Sequence, residues 1–144
     1  WFSALMDPID GTVARLSGKV TRFGALFDST LDRYAEFFIF FGFLFHFREG
    51  WMFWVTAAAL MGSVMVSYVK ARAEGLGQTE FRGLMQRPER LILLITGTVL
   101  NAPINNLFFP GCGDCTLQWT IVILAVLTNL TALQRLVSSR RELA

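Results

Sequence analysis

Long apolar stretches alternate with short polar ones along most of this chain. Four segments, at about 22–47, 51–75, 88–109 and 116–137, are each long enough for a helix across a hydrocarbon core of about 30 Å. The first segment begins polar and becomes strongly apolar at 37–47, and Pro88 stands near the first turn of the third. Residues 1–16 are expected to form the cytoplasmic end of an earlier helix, kinked at Pro8. The pattern therefore predicts an all-α, polytopic bundle of membrane helices.

The composition agrees with a membrane protein. Hydrophobic residues make up 53% and aromatic residues 14% of the 144 positions, which is unusual for a soluble domain. Trp51 and Trp54 fit an aromatic belt at the membrane interface. The sequence contains no internal repeat or low-complexity tract, so we expect a single domain over 1–144. Membrane lipids are expected partners, and nucleic acid is not.

The basic residues predict the orientation. All of the 13 Lys and Arg residues except Arg48 lie in or beside the 15–33 junction, the 70–90 stretch or the C-terminal end. The positive-inside rule places these three regions on the cytoplasmic side. The net charge of +2 is small, but its one-sided distribution suits anionic lipid headgroups and an anionic substrate.

Four aspartates lie at this predicted cytoplasmic edge. Asp7 and Asp10 are three residues apart, and Asp28 and Asp32 are four apart, so each pair shares one face of a helix. Carboxylates beside a bilayer are costly and indicate a functional site. Two facing pairs would repel one another unless cations lay between them, and hard oxygen ligands suit Mg²⁺ or Mn²⁺. The spacing predicts a site for two divalent cations, which can clamp a phosphoryl group.

Small and cationic residues accompany the aspartates. Gly11, Ala14 and Gly24 lie on or near the same faces, where small side chains allow a backbone and a ligand to approach closely. Arg15, one turn beyond Gly11, can bind a phosphate with its planar guanidinium. These residues predict a phosphate-bearing ligand.

The complete pattern is Asp7-x-x-Asp10-Gly11-x-x-Ala14-Arg15, eight residues, then Gly24-x-x-x-Asp28-x-x-x-Asp32. It resembles the signature of the CDP-alcohol phosphatidyltransferase family at every signature position. The resemblance implies a six-helix membrane fold, here without the first helix and part of the second, and a homodimer. It also implies a cytoplasmic active site in a bacterial or archaeal cytoplasmic membrane. In the implied reaction an alcohol attacks the β-phosphorus of CDP-diacylglycerol and CMP leaves, with Asp32 as the general base.

Three shorter motifs are similar to the bacterial phosphatidylinositol phosphate synthase branch of that family. They lie at 67–74, 87–91 and 134–136. The resemblance assigns Lys70, Arg90 and Arg135 to the phosphate of inositol 1-phosphate. The loop between Glu74 and Arg87 is short for this branch and fits it poorly at 78–86. By the same resemblance the CDP-lipid is bound by residues within or beside the aspartate pattern: Asp10, Gly11, Ala14, Arg15, Thr21 and Gly24.

The alternation of helix direction leads to a similar expectation without the family. It brings Lys70, Arg72, Arg90 and Arg135 to the membrane face that holds the aspartates. Cations beside a diphosphate site indicate that the acceptor alcohol is also phosphorylated. The competing interpretation is that these side chains extend to the interface and serve topology alone.

Three alternatives stay open at this stage. The acceptor could be glycerol 3-phosphate, serine or free inositol, and glycerol 3-phosphate would use the same cations. An ion-coupled transporter or other ion-binding membrane protein would also carry intramembrane acids, but it leaves Gly11, Ala14, Arg15 and Gly24 unexplained. The third alternative is a truncated chain without catalytic activity.

Several other residues have weaker signals. Cys112 and Cys115 lie in a loop on the opposite side, where a disulfide and two free thiols are equally compatible with the sequence. His46 is not expected to be catalytic, and the aromatic 37–47 stretch is expected to face lipid or a second copy of the chain. Glu36 is expected to contact a cation or another helix.

Overall fold

The computed structural model describes residues 21–78, 85 and 87–143. These residues form helices and contain no strand. Helix α1 is Arg22–His46, α2 is Trp51–Glu74, α3 is Arg87–Phe108 and α4 is Cys115–Leu143. Each predicted segment is therefore a helix. The helix predicted near the start of the chain, at 1–16, lies outside the described residues.

Three of these helices are long and apolar enough to cross a membrane: α2, α3 and the Cys115–Arg140 part of α4. Helix α1 was predicted as a fourth span, but within the described residues it is not among those that qualify. Residues 37–46 of this helix are largely apolar, whereas residues 22–36 carry five charged side chains: Arg22, Asp28, Asp32, Arg33 and Glu36.

The chain divides into two compact units, Trp1–Phe38 and Ile39–Ala144. The expectation of one domain over 1–144 stays a prediction. In the second unit α4 packs against both α2 and α3. The apolar core of this unit contains Phe40 from the end of α1, Met52 and Ala59 from α2, and Ile121 and Leu124 from α4.

Two glycines allow α4 to approach its neighbours closely. A Cβ on Gly62 of α2 would lie 2.9 Å from the backbone nitrogen of Asn129 and would also overlap Thr128. A Cβ on Gly97 of α3 would overlap the side chain of Thr120. Small residues at such contacts are typical of membrane helix pairs, because packing rather than burial from water holds them together.

One end of the second unit is held by a network of polar contacts. The Nε2 atom of His46 lies 2.9 Å from Oδ2 of Asp114, so the last residue of α1 meets the loop before α4. Asn101 of α3 donates to the other carboxylate oxygen of Asp114 at 2.9 Å. Cys112 and Cys115 in this loop are joined by a disulfide, which decides between the two states that the sequence left open.

Asparagines of α3 also cap the start of α4. Oδ1 of Asn105 accepts from the backbone nitrogen and the hydroxyl of Thr116, at 3.0 and 2.7 Å. Oδ1 of Asn101 accepts from the backbone nitrogen of Leu117 at 3.0 Å. Backbone N–H groups in the first turn of a helix lack partners within that helix, so these side chains satisfy them from a neighbouring helix.

The opposite end of the unit has its own contact. Ser139, near the end of α4, donates its hydroxyl to Oε1 of Gln78 at 2.6 Å, and both residues are buried. The chain that leaves α2 is thereby held against the last turns of α4. The prediction that consecutive helices run in opposite directions is therefore confirmed for α2, α3 and α4 of this unit.

Candidate active site

The residues predicted to bind metal and the CDP-lipid fall partly on the first half of α1. Oγ1 of Thr21 accepts a hydrogen bond from the backbone nitrogen of Gly24 at 3.0 Å, so Thr21 is the N-cap of this helix. Asp28 and Asp32 follow on α1, four residues apart and therefore on one face. Asp28 is exposed and Asp32 is half-buried. Two carboxylates in this arrangement are the hard oxygen donors that Mg²⁺ or Mn²⁺ requires.

The remaining aspartate pair was predicted at the start of the chain. Asp7 and Asp10 lie outside the described residues, as do Gly11, Ala14 and Arg15. Among the residues that the structure describes, no group of three or more His, Cys, Asp or Glu side chains is placed to hold a metal. The carboxylates of Asp28 and Asp32 on α1 thus fit one of the two aspartate pairs of the predicted metal site.

Glu36 has a partner on its own helix. Nη1 of Arg33 lies 2.7 Å from Oε2 of Glu36, and the carboxylate is buried. Glu36 therefore does contact a cation, namely an arginine three residues earlier.

Arg90, predicted to hold the acceptor phosphate, is buried in the second unit with 2% of its surface exposed. Its Nη1 donates to the carbonyl oxygen of Ser63 at 2.8 Å and to the hydroxyl of the same residue at 2.6 Å. Its Nη2 lies 3.4 Å from the hydroxyl of Ser67, which is at the long end for a hydrogen bond. The guanidinium of a residue from α3 is thus fixed on α2.

Arg135, from α4, is fixed on the same helix. It is 6% exposed, and its Nη1 donates to the carbonyl oxygen of Val66 at 2.9 Å. Within the described ranges, its Nε atom has no hydrogen-bond partner and no carboxylate lies within salt-bridge distance of it. A buried charge without such compensation is costly. An anionic ligand would supply the missing partner.

The structure brings these two arginines to one face of α2, because the carbonyls of Ser63 and Val66 lie three residues apart. Lys70 continues this face by one turn, and its side chain is 48% exposed. Its Nζ lies 3.6 Å from Oε1 of Glu74 on the same helix. Two buried guanidinium groups and one accessible amine therefore share a stripe along α2, and a phosphate is the kind of ligand that such a set binds.

Ser63 was not predicted as part of the site. Its signal was weak, because small hydroxyl residues are common where membrane helices pack. Two serines four residues apart on a largely apolar helix were the available clue. They matter only because Arg90, from a different helix, reaches them.

Comparison with known proteins identifies the family. The sequence profile described as CDP-alcohol phosphatidyltransferase matches residues 1–131. The chain belongs to the CDP-alcohol phosphatidyltransferase family. Together with the three apolar helices, this makes it an integral membrane protein. The resemblance found in the sequence is confirmed.

The relatives come from the predicted branch of this family. The phosphatidylinositol phosphate synthase of Mycobacterium tuberculosis (strain H37Rv) is 40% identical over 142 residues, which cover 94% of this chain and 62% of the relative. The chain thus spans about three fifths of the length of that curated relative.

Solved structures of the mycobacterial enzyme share the fold. The structure of the Mycobacterium tuberculosis synthase with CDP-DAG bound matches with a TM-score of 0.79 and 38% identity, over 96% of this chain and 69% of the other. The structure of that enzyme in complex with manganese and citrate matches with a TM-score of 0.80 and 36% identity, over 96% of this chain and 66% of the other. The all-α membrane fold predicted from the sequence is confirmed.

Proposed function

We propose that the protein transfers the phosphatidyl group of CDP-diacylglycerol to inositol 1-phosphate. The products are phosphatidylinositol phosphate and CMP. The observation that carries this proposal is the pair of buried arginines, Arg90 and Arg135, held on one face of α2 next to Lys70. A member of this family already needs one site for the diphosphate of its lipid donor. A second set of cations is explained by an acceptor that carries its own phosphate.

The proposed acceptor site uses the three cations in different ways. Arg90 and Arg135 present fixed, planar donors from a buried position, which favours a ligand of defined geometry. Lys70 adds a mobile charge at the accessible end of the stripe. Holding the phosphate in this way would aim the free hydroxyl of the inositol, and orientation of this kind can contribute more to rate than proton transfer.

The proposed metal site is formed by Asp7, Asp10, Asp28 and Asp32, which would bind two divalent cations, Mg²⁺ or Mn²⁺. When bound, the metals neutralise the diphosphate of the donor and the charge on the departing CMP. Two observations support this assignment: the mycobacterial enzyme has been solved in complex with manganese, and α1 carries a carboxylate pair on one face.

The remaining residues bind the donor and move one proton. In the proposal, Asp10, Gly11, Ala14, Arg15, Thr21 and Gly24 surround the nucleotide part of the CDP-lipid. Asp32 accepts the proton of the inositol hydroxyl while the oxygen of that hydroxyl bonds to the β-phosphorus. The bond between that phosphorus and the bridging oxygen breaks, and CMP leaves with the electron pair. The capping role of Thr21 supports its placement, since it fixes the first turn of α1.

The location and assembly are also part of the proposal. The active site would face the cytoplasm in a bacterial or archaeal cytoplasmic membrane, as the distribution of basic residues predicts. We expect a homodimer from the family resemblance, and chemical cross-linking in native membranes would test it.

A second candidate acceptor is glycerol 3-phosphate, because the cation stripe recognises a phosphate and not the rest of the acceptor. The deciding experiment measures CMP release from CDP-diacylglycerol by the complete protein in detergent with Mn²⁺ or Mg²⁺. Inositol 1-phosphate, inositol, glycerol 3-phosphate and serine are compared. Release that requires inositol 1-phosphate supports the proposal, whereas release with glycerol 3-phosphate alone overturns the assigned acceptor. No release from folded protein with any acceptor would favour an ion-binding role.

A further inference from the structure

Ser63 has an unusual relation to Arg90. It is completely buried on α2, and it offers both its carbonyl oxygen and its hydroxyl oxygen to a single nitrogen of the guanidinium. The two distances, 2.8 and 2.6 Å, are both those of good hydrogen bonds. One serine thus makes two contacts with a cation from another helix.

The contact with Ser63 uses part of the set of hydrogen-bond donors that the guanidinium of Arg90 carries. Each terminal nitrogen of a guanidinium carries two protons, and Nε carries one. Nη1 donates to both oxygens of Ser63, so this end of the guanidinium is turned toward Ser63. Nη2 lies 3.4 Å from the hydroxyl of Ser67, a longer contact than either of the two that Ser63 makes.

We propose that Ser63 is a positioning residue for the acceptor site. Its two oxygens hold the Arg90 guanidinium in one plane, and this fixed orientation is the one that the acceptor phosphate would meet. This inference rests on the proposed function, since it concerns the phosphate that Arg90 binds there. It adds a residue that carries no charge and acts through the arginine.

The hydroxyl is the part of this contact that a substitution can remove. In S63A the carbonyl still accepts from Nη1, but the contact with the hydroxyl is lost and the guanidinium can rotate about the remaining bond. A hydrogen bond to a charged group is typically worth about tenfold in an equilibrium constant or more. We therefore expect the KM for inositol 1-phosphate to rise by about tenfold. The KM for CDP-diacylglycerol and kcat should change by less than about threefold.

The structure offers a matched control on the same helix. Thr56 is also completely buried on α2, and its hydroxyl bonds only to the carbonyl of Met52 one turn earlier. T56V removes a buried hydroxyl without affecting any arginine. It should leave both KM values at those of the wild type, so a change in S63A alone would not be a general effect of losing a hydroxyl from this helix.

A double substitution tests whether Ser63 acts through Arg90. Lysine has no guanidinium to orient, so S63A should add less than about twofold to the acceptor KM in an R90K background. Should S63A fail to fold, S63C takes its place, because a thiol keeps the volume and is a weak acceptor.

The outcomes separate this inference from the proposed function. With an active wild type, any of three results would overturn the role of Ser63. The first is an acceptor KM in S63A equal to that in T56V, and the second is a fall in kcat alone. The third is a rise in acceptor KM from S63A that is as large in the R90K background as in the wild type. If the wild type used glycerol 3-phosphate, the KM for glycerol 3-phosphate in S63A and T56V would be compared in the same way, and equal values would overturn the role of Ser63. A wild type without CMP release would overturn both proposals together.

Discussion

Buried arginines dominate the chemistry of this protein at the scale of single residues. A guanidinium in an apolar helix bundle is costly, and burial alone would favour a neutral side chain. Arg90 and Arg135 are instead held by backbone carbonyls of α2. A lysine ammonium could donate to one such carbonyl, but it lacks the further N–H groups that a guanidinium holds in a fixed plane.

Substitution of Arg135 tests this distinction between charge and geometry. R135K keeps the charge but loses the planar fork that binds Val66 and is proposed to bind the phosphate, so the acceptor KM should rise by at least about tenfold. We also expect a smaller fall in kcat, because the hydroxyl is aimed less well. The exposed Arg140 lies on the same helix, and R140K is the control that should behave as the wild type. Equal kinetics of R135K and wild type would remove Arg135 from the acceptor site.

The second prediction at this scale concerns Asp32, which is proposed both as a metal ligand and as the general base. D32N should lower kcat by about 10²–10⁴-fold, the usual contribution of a general base, with little change in the acceptor KM. Initial rates of CMP release over a series of Mn²⁺ and Mg²⁺ concentrations provide the measurement. Recovery of activity at high metal concentration would assign Asp32 to metal binding alone.

The charged residues of the candidate site were predictable because they interrupt apolar sequence, where each charge requires a reason. The contact of Ser63 with Arg90 was not, because it joins positions 27 residues apart and depends on how two helices are placed. The polar contacts of Asn101 and Asn105 were hidden for the same reason. Sequence patterns report the nature of a side chain, and the neighbours of that side chain come from packing.

At the scale of helices, the four predicted segments were confirmed as α1 to α4, and the main difference lies at the end of α4. The apolar pattern predicted an end near 137, but the helix continues to Leu143. Arginine, glutamate and leucine are good helix formers, so the helix continues after its apolar span has ended. The packing order was not predictable, because helices that are apolar on all sides carry little periodic signal.

The contact of α2 with α4 leads to a prediction about stability. G62A would place a methyl group against the backbone of Asn129, which cannot move as a flexible side chain would. Overpacking of this kind typically costs about 1–3 kcal/mol. G42A is the matched control, since nothing lies within 4 Å of its new Cβ and alanine is favoured over glycine in a helix. Thermal unfolding in detergent should show a lower midpoint for G62A alone, and equal midpoints would contradict the close approach.

At the scale of the whole molecule, two polar contacts between distant parts of the chain mark the opposite ends of the second unit. His46 and Asp114 meet at one end, beside the disulfide of Cys112 and Cys115. Gln78 and Ser139 meet at the other, which is also the end of this unit where Lys70, Arg72, Arg87 and Arg140 lie on the described helices. Disulfides persist in oxidising compartments, which lie outside the cytoplasm. The disulfide and the basic residues therefore support the same orientation by independent arguments, one from redox chemistry and one from charge.

Cysteine labelling tests that orientation directly. The two cysteines in the sequence are joined in the disulfide, so a new thiol is the one that reacts. Glu49 and Glu142 are exposed acids at opposite ends of the second unit, and each is replaced by cysteine. In intact cells a membrane-impermeant maleimide should label E49C, whereas E142C should react only after permeabilisation. The unsubstituted protein is the blank. The reverse pattern would place Lys70 and the cation stripe outside the cell, away from the cytoplasmic nucleotide pool that a CDP-linked donor requires.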